Sequence, residues 1–80
     1  MADKESAFAN NLRVLRIVRG YSQEELARMV GVSTASVVNW ESGDNTPSLS
    51  NIVKLADIFG CTLEELVSTE PYVLTASKGS

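Results

Sequence analysis

The chain has no histidine. It therefore lacks the one side chain whose ordinary pKa lies near neutrality, and with it the usual general base and a common metal ligand. Its single cysteine, Cys61, cannot close an internal disulfide, which fits a reducing compartment. As a small free thiol just before the last helix, Cys61 reads as a half-buried packing residue. There is no glycine-rich phosphate loop and no Cys or His cluster at metal spacing, so no cofactor and no metal centre are expected. The adjacent acids Glu24-Glu25 and Glu64-Glu65 sit at expected helix starts, where they serve as caps and dipole partners rather than as paired catalytic acids. Together these absences argue against an enzyme. No apolar run is long enough to cross a membrane and no signal-peptide pattern opens the chain, so a cytoplasmic protein with no membrane partner is expected. Positive charge is also scarce: seven basic residues face ten acidic ones, for a net charge of -3.

What remains is an 80-residue chain, 44% hydrophobic, suited to one domain with one small core. Apolar spacing predicts a first helix from about Ser6 to Arg19, with Phe8, Leu12 and Leu15 on one face, ended by Gly20. A second helix is expected over Gln23–Val30, a third over Thr34–Glu41 and a fourth from about Ser48 to Phe59. In the fourth, Leu49, Ile52, Val53, Ala56 and Phe59 follow helical spacing, and Gly60 is the natural C-terminal cap. Thr62 and Glu65 form a capping box for a short fifth helix ending near Val67 or Ser68. Gly43 to Pro47 is a loop of turn-formers. The expected organisation is a disordered N-terminus over 1–5, an all-α five-helix domain over 6–68, and a tail over 69–80 that is β-prone and extended at Pro71–Thr75.

Residues 22–43 carry the strongest signal. Ser22 and Glu25 form a capping box ahead of the apolar face Leu26, Ala27 and Val30. Gly31 follows at once, where the chain must turn through a conformation that glycine adopts cheaply. Ser33 can cap the next helix, in which Val37, Trp40 and Glu41 share one face. Ala27 is small where two helices must cross, Gly31 lies at the turn, and Val37 wedges the second helix against the first. This register is that of a helix-turn-helix, whose second helix enters the DNA major groove.

The motifs LRVLRIVRGYSQEELA (12–27), VGVSTASVVNWESG (30–43) and the pattern from Pro47 to Leu66 resemble the regulators of the phage repressor and Cro type. The resemblance covers about residues 8–68. It implies a compact five-helix bundle and a transcriptional regulator, a small repressor that binds double-stranded DNA as a homodimer, formed in advance or only on the DNA.

Helical geometry places Ala35 and Asn39 opposite Val37, with Thr34 and Val38 bordering that outer side. The resemblance assigns base reading to Thr34, Ala35 and Asn39. An asparagine amide can bond adenine at two edge positions. Thr34 can bond or pack a methyl, and Ala35 and Val38 can meet a thymine methyl. The bland alternatives are a solvated Asn39 and an incidentally exposed Val38. Gln23 matches a phosphate-contacting position of the family, and Ser22 and Ser36 join it as phosphate candidates at helix starts, beside plain capping. Asn45 and Thr46, also phosphate candidates, stand where family members often carry lysine or arginine, and Asp44 deepens that departure. Arg16 and Glu41 match a family ion pair that links the first helix to the end of the third, with Arg16 as a free phosphate binder the alternative.

The acidic balance requires charge segregation, with Arg13, Arg16, Arg19 and Arg28 on the first two helices and Glu64, Glu65 and Glu70 on the far side. A protein-interaction module, antitoxin-like or an adaptor, is the rival reading. It is favoured by the cation-poor loop and by the apolar back of the first helix at Val14, Ile17 and Val18. The expected dimer surface is Leu63, Leu66 and Val67, extended by Tyr72, Val73 and Leu74. The back of the first helix is the second choice, open also to another protein or to the tail.

Overall fold

The computed structural model describes residues 3–67. Five α-helices follow one another: α1 (Asp3–Val18), α2 (Gln23–Val30), α3 (Thr34–Ser42), α4 (Leu49–Phe59) and α5 (Leu63–Val67). No strand occurs among the described residues. The fold is all-α, as the apolar spacing implied. Residues 1–2 and 68–80 lie outside the described residues, and with them the expected extended segment at 71–75 and the tail. α1 starts at Asp3, ahead of the expected Ser6, and helix ends are the part of a helix that sequence sets least firmly.

Local chemistry explains the breaks. Ser22 Oγ accepts the Glu25 N–H at 2.9 Å, and Glu25 Oε1 accepts the Ser22 N–H at 2.8 Å, completing the capping box of α2. Thr62 and Glu65 repeat the arrangement at α5, at 3.0 and 2.9 Å. Ser33 caps α3 and Ser48 caps α4, through the N–H groups of Ser36 and Asn51. Each such cap is worth about 1 kcal/mol. Between α2 and α3 the chain turns on Gly31, at φ 91° and ψ 33°. The N–H groups of Gly31 and Val32 both close on Ala27 O, at 2.8 and 2.9 Å. A side chain at that φ costs about 1–2 kcal/mol.

One core binds the helices. α1 packs on α3 and α5, α2 on α3 and α4, and α4 on α5. Leu12, Leu26, Val37, Leu55 and Leu66 are fully buried, with Leu15 and Phe59 nearly so. Buried Asn11 donates from Nδ2 to Leu66 O at 3.1 Å, tying α1 to the end of α5.

Two expectations fail here. Leu49 and Val53 do not face the core: they are 70% and 48% exposed, while Leu55 is buried. The buried face of α4 is Ile52, Leu55, Ala56 and Phe59, because α4 must cover α2 and α5 together. At 3.6 residues per turn Val53 lies about 110° away from the centre of that face. Leu66, expected at a dimer surface, is a core residue instead, since its backbone and side chain both close the α1–α5 contact. Leu63 and Val67 stay exposed.

Candidate nucleic-acid interface

The outer side of α3 is built almost without charge. Thr34, Ala35 and Val38 are exposed and Asn39 is half-buried, while Val37 and Trp40 anchor the opposite side in the core. Helical spacing thus brings the four expected base-reading side chains to one surface of α3. Ser36 is half-buried, and its hydroxyl lies 3.1 Å from Ser33 Oγ within the cap.

The angle of α3 is held from below. Arg16 Nε donates to Glu41 Oε2 at 2.6 Å and Nη2 donates to Oε1 at 3.1 Å, a bidentate pair. Arg16 Nη1 donates to Tyr21 O at 2.8 Å. The Glu41 side chain is 4% exposed and that of Arg16 14%. Arg16 is therefore committed to the interior and is not a free phosphate binder. Gln23, expected at phosphate, donates from Nε2 to Glu41 Oε1 at 3.1 Å. One carboxylate thus gathers the end of α1, the start of α2 and the end of α3. The Gln23 bond escaped sequence reasoning. Its only signal is that a helix-turn-helix crossing brings the first residue of α2 near the last turn of α3.

After α3 the chain folds back on itself. The N–H groups of Asp44 and Asn45 close on Asn39 O at 3.0 and 3.3 Å. The Ser42 hydroxyl lies 3.1 Å from Asn39 O and 3.0 Å from Asp44 Oδ2. Asn45 and Thr46 follow, both exposed. Asp44 is thereby held beside the C-terminal end of α3, where the helix dipole already places negative charge.

The expected segregation of arginines on α1 and α2 is reduced. Arg19 Nη2 donates to Phe59 O, capping α4, and Arg16 is internal. Lys54 Nζ lies 3.5 Å from Val30 O, at the end of α2. Arg28 pairs loosely with Glu24 at 3.7 Å, both exposed. Arg13 is exposed, with Nη2 3.4 Å from Asn10 Oδ1, and lines a shallow depression with Glu41 and Ser42 at the end of α3. Helix C-termini, not an outer basic face, take up Arg19 and Lys54.

Burial and the nearby Glu65 carboxylate push the Cys61 thiol up, with Arg19 partly opposing them. Among the described residues no group of three or more His, Cys, Asp or Glu side chains could hold a metal ion. No helix there is long and apolar enough to cross a membrane.

Comparison with known proteins agrees with this geometry. A helix-turn-helix family model matches residues 12–66. The cryptic phage CTXphi transcriptional repressor RstR of Vibrio cholerae is 38% identical over 76% of this chain, and the chain spans 55% of that repressor's length. The crystal structure of the restriction-modification controller protein C.AhdI from Aeromonas hydrophila superposes with a TM-score of 0.72 at 39% identity, covering 78% of this chain and 94% of that one. A hypothetical transcription factor, NHTF from Neisseria, superposes with a TM-score of 0.74 at 36% identity, covering 80% of this chain and 74% of that one. The matched span runs from α1 into α5 and includes the crossing of α2 and α3 around Gly31, and on that ground the chain belongs to the helix-turn-helix family.

Proposed function

We propose that the chain is a sequence-specific DNA-binding transcriptional regulator, a small cytoplasmic repressor. The observation that carries this reading is the uncharged outer face of α3, with Asn39 beside Thr34, Ala35 and Val38, held at a set angle by the Arg16–Glu41–Gln23 cluster. Asn39 reads adenine through its amide, Thr34 bonds or packs, and Ala35 and Val38 meet thymine methyls. The hydroxyls of Ser22 and Ser36 and the backbone N–H of Gln23 are offered to phosphate at the starts of α2 and α3. Asn45 and Thr46 flank the other end of α3. Arg13, at that same end, adds a cation that motif reasoning had placed only within a general basic face.

Such a surface reads few base pairs and attracts phosphate weakly. Two copies related by a two-fold axis double the contacts and place half-sites about 34 Å apart. The homodimer is therefore part of the proposal. Its surface lies away from α3, where Leu63 and Val67 are exposed.

The test is a binding comparison on DNA sites selected from genomic fragments. Asn39→Ala relaxes the preference at one base pair by about 1–3 kcal/mol and leaves other positions alone. If Asn39→Ala binds every selected site and every single-base variant as the parent chain does, α3 does not read DNA, and the interaction-module reading replaces this one.

A further inference from the structure

No cation lies on α3. Its one charged side chain is Glu41, which is 4% exposed and bonded to Arg16 and Gln23. Guanine is most often read in the major groove by an arginine or lysine that reaches O6 and N7, and α3 offers neither. It offers alkyl surface instead. Val38 is the one large apolar side chain of α3 that stays exposed, while Val37 beside it is fully buried. Thr34 and Ala35 lie four and three residues before Val38, so they are its neighbours on the helix surface, and both are exposed. We propose that Val38, with Ala35 beside it, reads the C5 methyl group of a pyrimidine as such, so that 5-methylcytosine is taken in place of thymine and unmethylated cytosine is refused. This rests on the proposed function, and it adds a modified base to what α3 recognises.

The argument is one of available groups. In the major groove thymine presents O4 and a C5 methyl, and cytosine presents the N4 amino group. 5-Methylcytosine keeps that amino group and carries the methyl of thymine. Ala35 and Val38 have no polar side-chain atom, so they can bond neither O4 nor the amino group. The methyl is the feature they can favour, through apolar area taken out of water. Thymine and 5-methylcytosine have it; uracil and cytosine lack it. Asn39 limits the range of the effect. A pair whose adenine it holds loses that bond when the adenine becomes guanine, so the exchange is tolerated only at pairs beneath Val38 and Ala35. Methylation of a cytosine at such a pair then raises affinity, which makes DNA methylation a signal this surface can register.

The experiment is a binding titration of the full chain, at fixed salt, on a duplex site obtained by selection. At each T·A pair in turn, one half-site receives U·A, C·G or 5-methylcytosine·G. These changes are made in the DNA, so folding of the chain is not in question. At one or more of these pairs uracil weakens binding about fourfold, the effect of losing one buried group of CH₂ size. At the same pair 5-methylcytosine·G binds about fourfold tighter than C·G, by the same methyl. In Val38→Ser both differences vanish there. The methyl reading is overturned by uracil tolerated at every T·A pair, or by 5-methylcytosine no better than cytosine at the uracil-sensitive pairs. It is overturned equally by a Val38→Ser chain with undiminished methyl dependence. In each of those cases specific binding to the selected site leaves the proposed function standing, whereas failure to select any site overturns both.

Discussion

Removing the Glu41 carboxylate tests whether the ion pair, and not apolar packing alone, sets the pitch of α3. In Glu41→Ala the Arg16 guanidinium keeps its bond to Tyr21 O but loses both bonds to carboxylate, and the Gln23 amide loses its acceptor. An exposed ion pair is worth about 0–1 kcal/mol, whereas stranding one member of a buried pair costs about 3–5 kcal/mol. Glu41 is as enclosed as a core residue, while Arg16 keeps 14% of its side-chain surface in water. The cost therefore falls toward the lower end, at about 3 kcal/mol. A domain of this size has a total stability of roughly 4–12 kcal/mol, so the loss is large: about 12–24 °C in melting temperature. Urea denaturation followed by far-ultraviolet circular dichroism measures it. The double substitution Arg16→Met with Glu41→Leu removes both charges and recovers much of the loss, since neither ion is then stranded. A Glu41→Ala loss below about 1 kcal/mol, or a double variant no better than the single one, would refute the reasoning.

Other substitutions follow from the same geometry. Asp44→Lys exchanges an acid held beside α3 for a cation, so it tightens DNA binding and steepens the log–log salt dependence by about 0.9 per protomer, measured by titration at several salt concentrations. Gly31→Ala meets no atom within 4 Å but keeps a φ of 91°, so it costs about 1–2 kcal/mol of backbone strain, read by urea denaturation, with the α2–α3 crossing unchanged. Burial and Glu65 raise the Cys61 thiol, so the folded chain is alkylated more slowly at neutral pH than its urea-unfolded form. Because the folded value lies above the unfolded one, the stability tied to Cys61 is complete below the ordinary thiol range and falls as pH rises through it toward the folded value. Cys61→Ala removes that decline from a series of urea titrations.

What the sequence disclosed about the fold was local. The capping boxes at Ser22/Glu25 and Thr62/Glu65 and the turn glycines Gly31 and Gly60 each act within a few residues, so spacing alone places them. The buried face of α4 depends on which helices cover it. Periodicity accordingly grouped Leu49 and Val53 with Ile52, Ala56 and Phe59 and passed over the buried Leu55. Charge was the least legible part. Arg19 bonding Phe59 O and Gln23 bonding Glu41 join residues far apart in the chain, and nothing local distinguishes those side chains from solvated ones. The outer side of α3 was legible because one buried anchor, Val37, orients the whole helix and leaves Thr34, Ala35, Val38 and Asn39 away from the core.

The central claim is that α3 reads DNA sequence, and selection from a random duplex pool at low salt tests it most directly. The account predicts enrichment of a two-fold-related motif with half-sites one helical turn apart, each holding an adenine or thymine position whose preference disappears in Asn39→Ala. A pool that stays unenriched through successive rounds, with the chain folded and monodisperse, would contradict it.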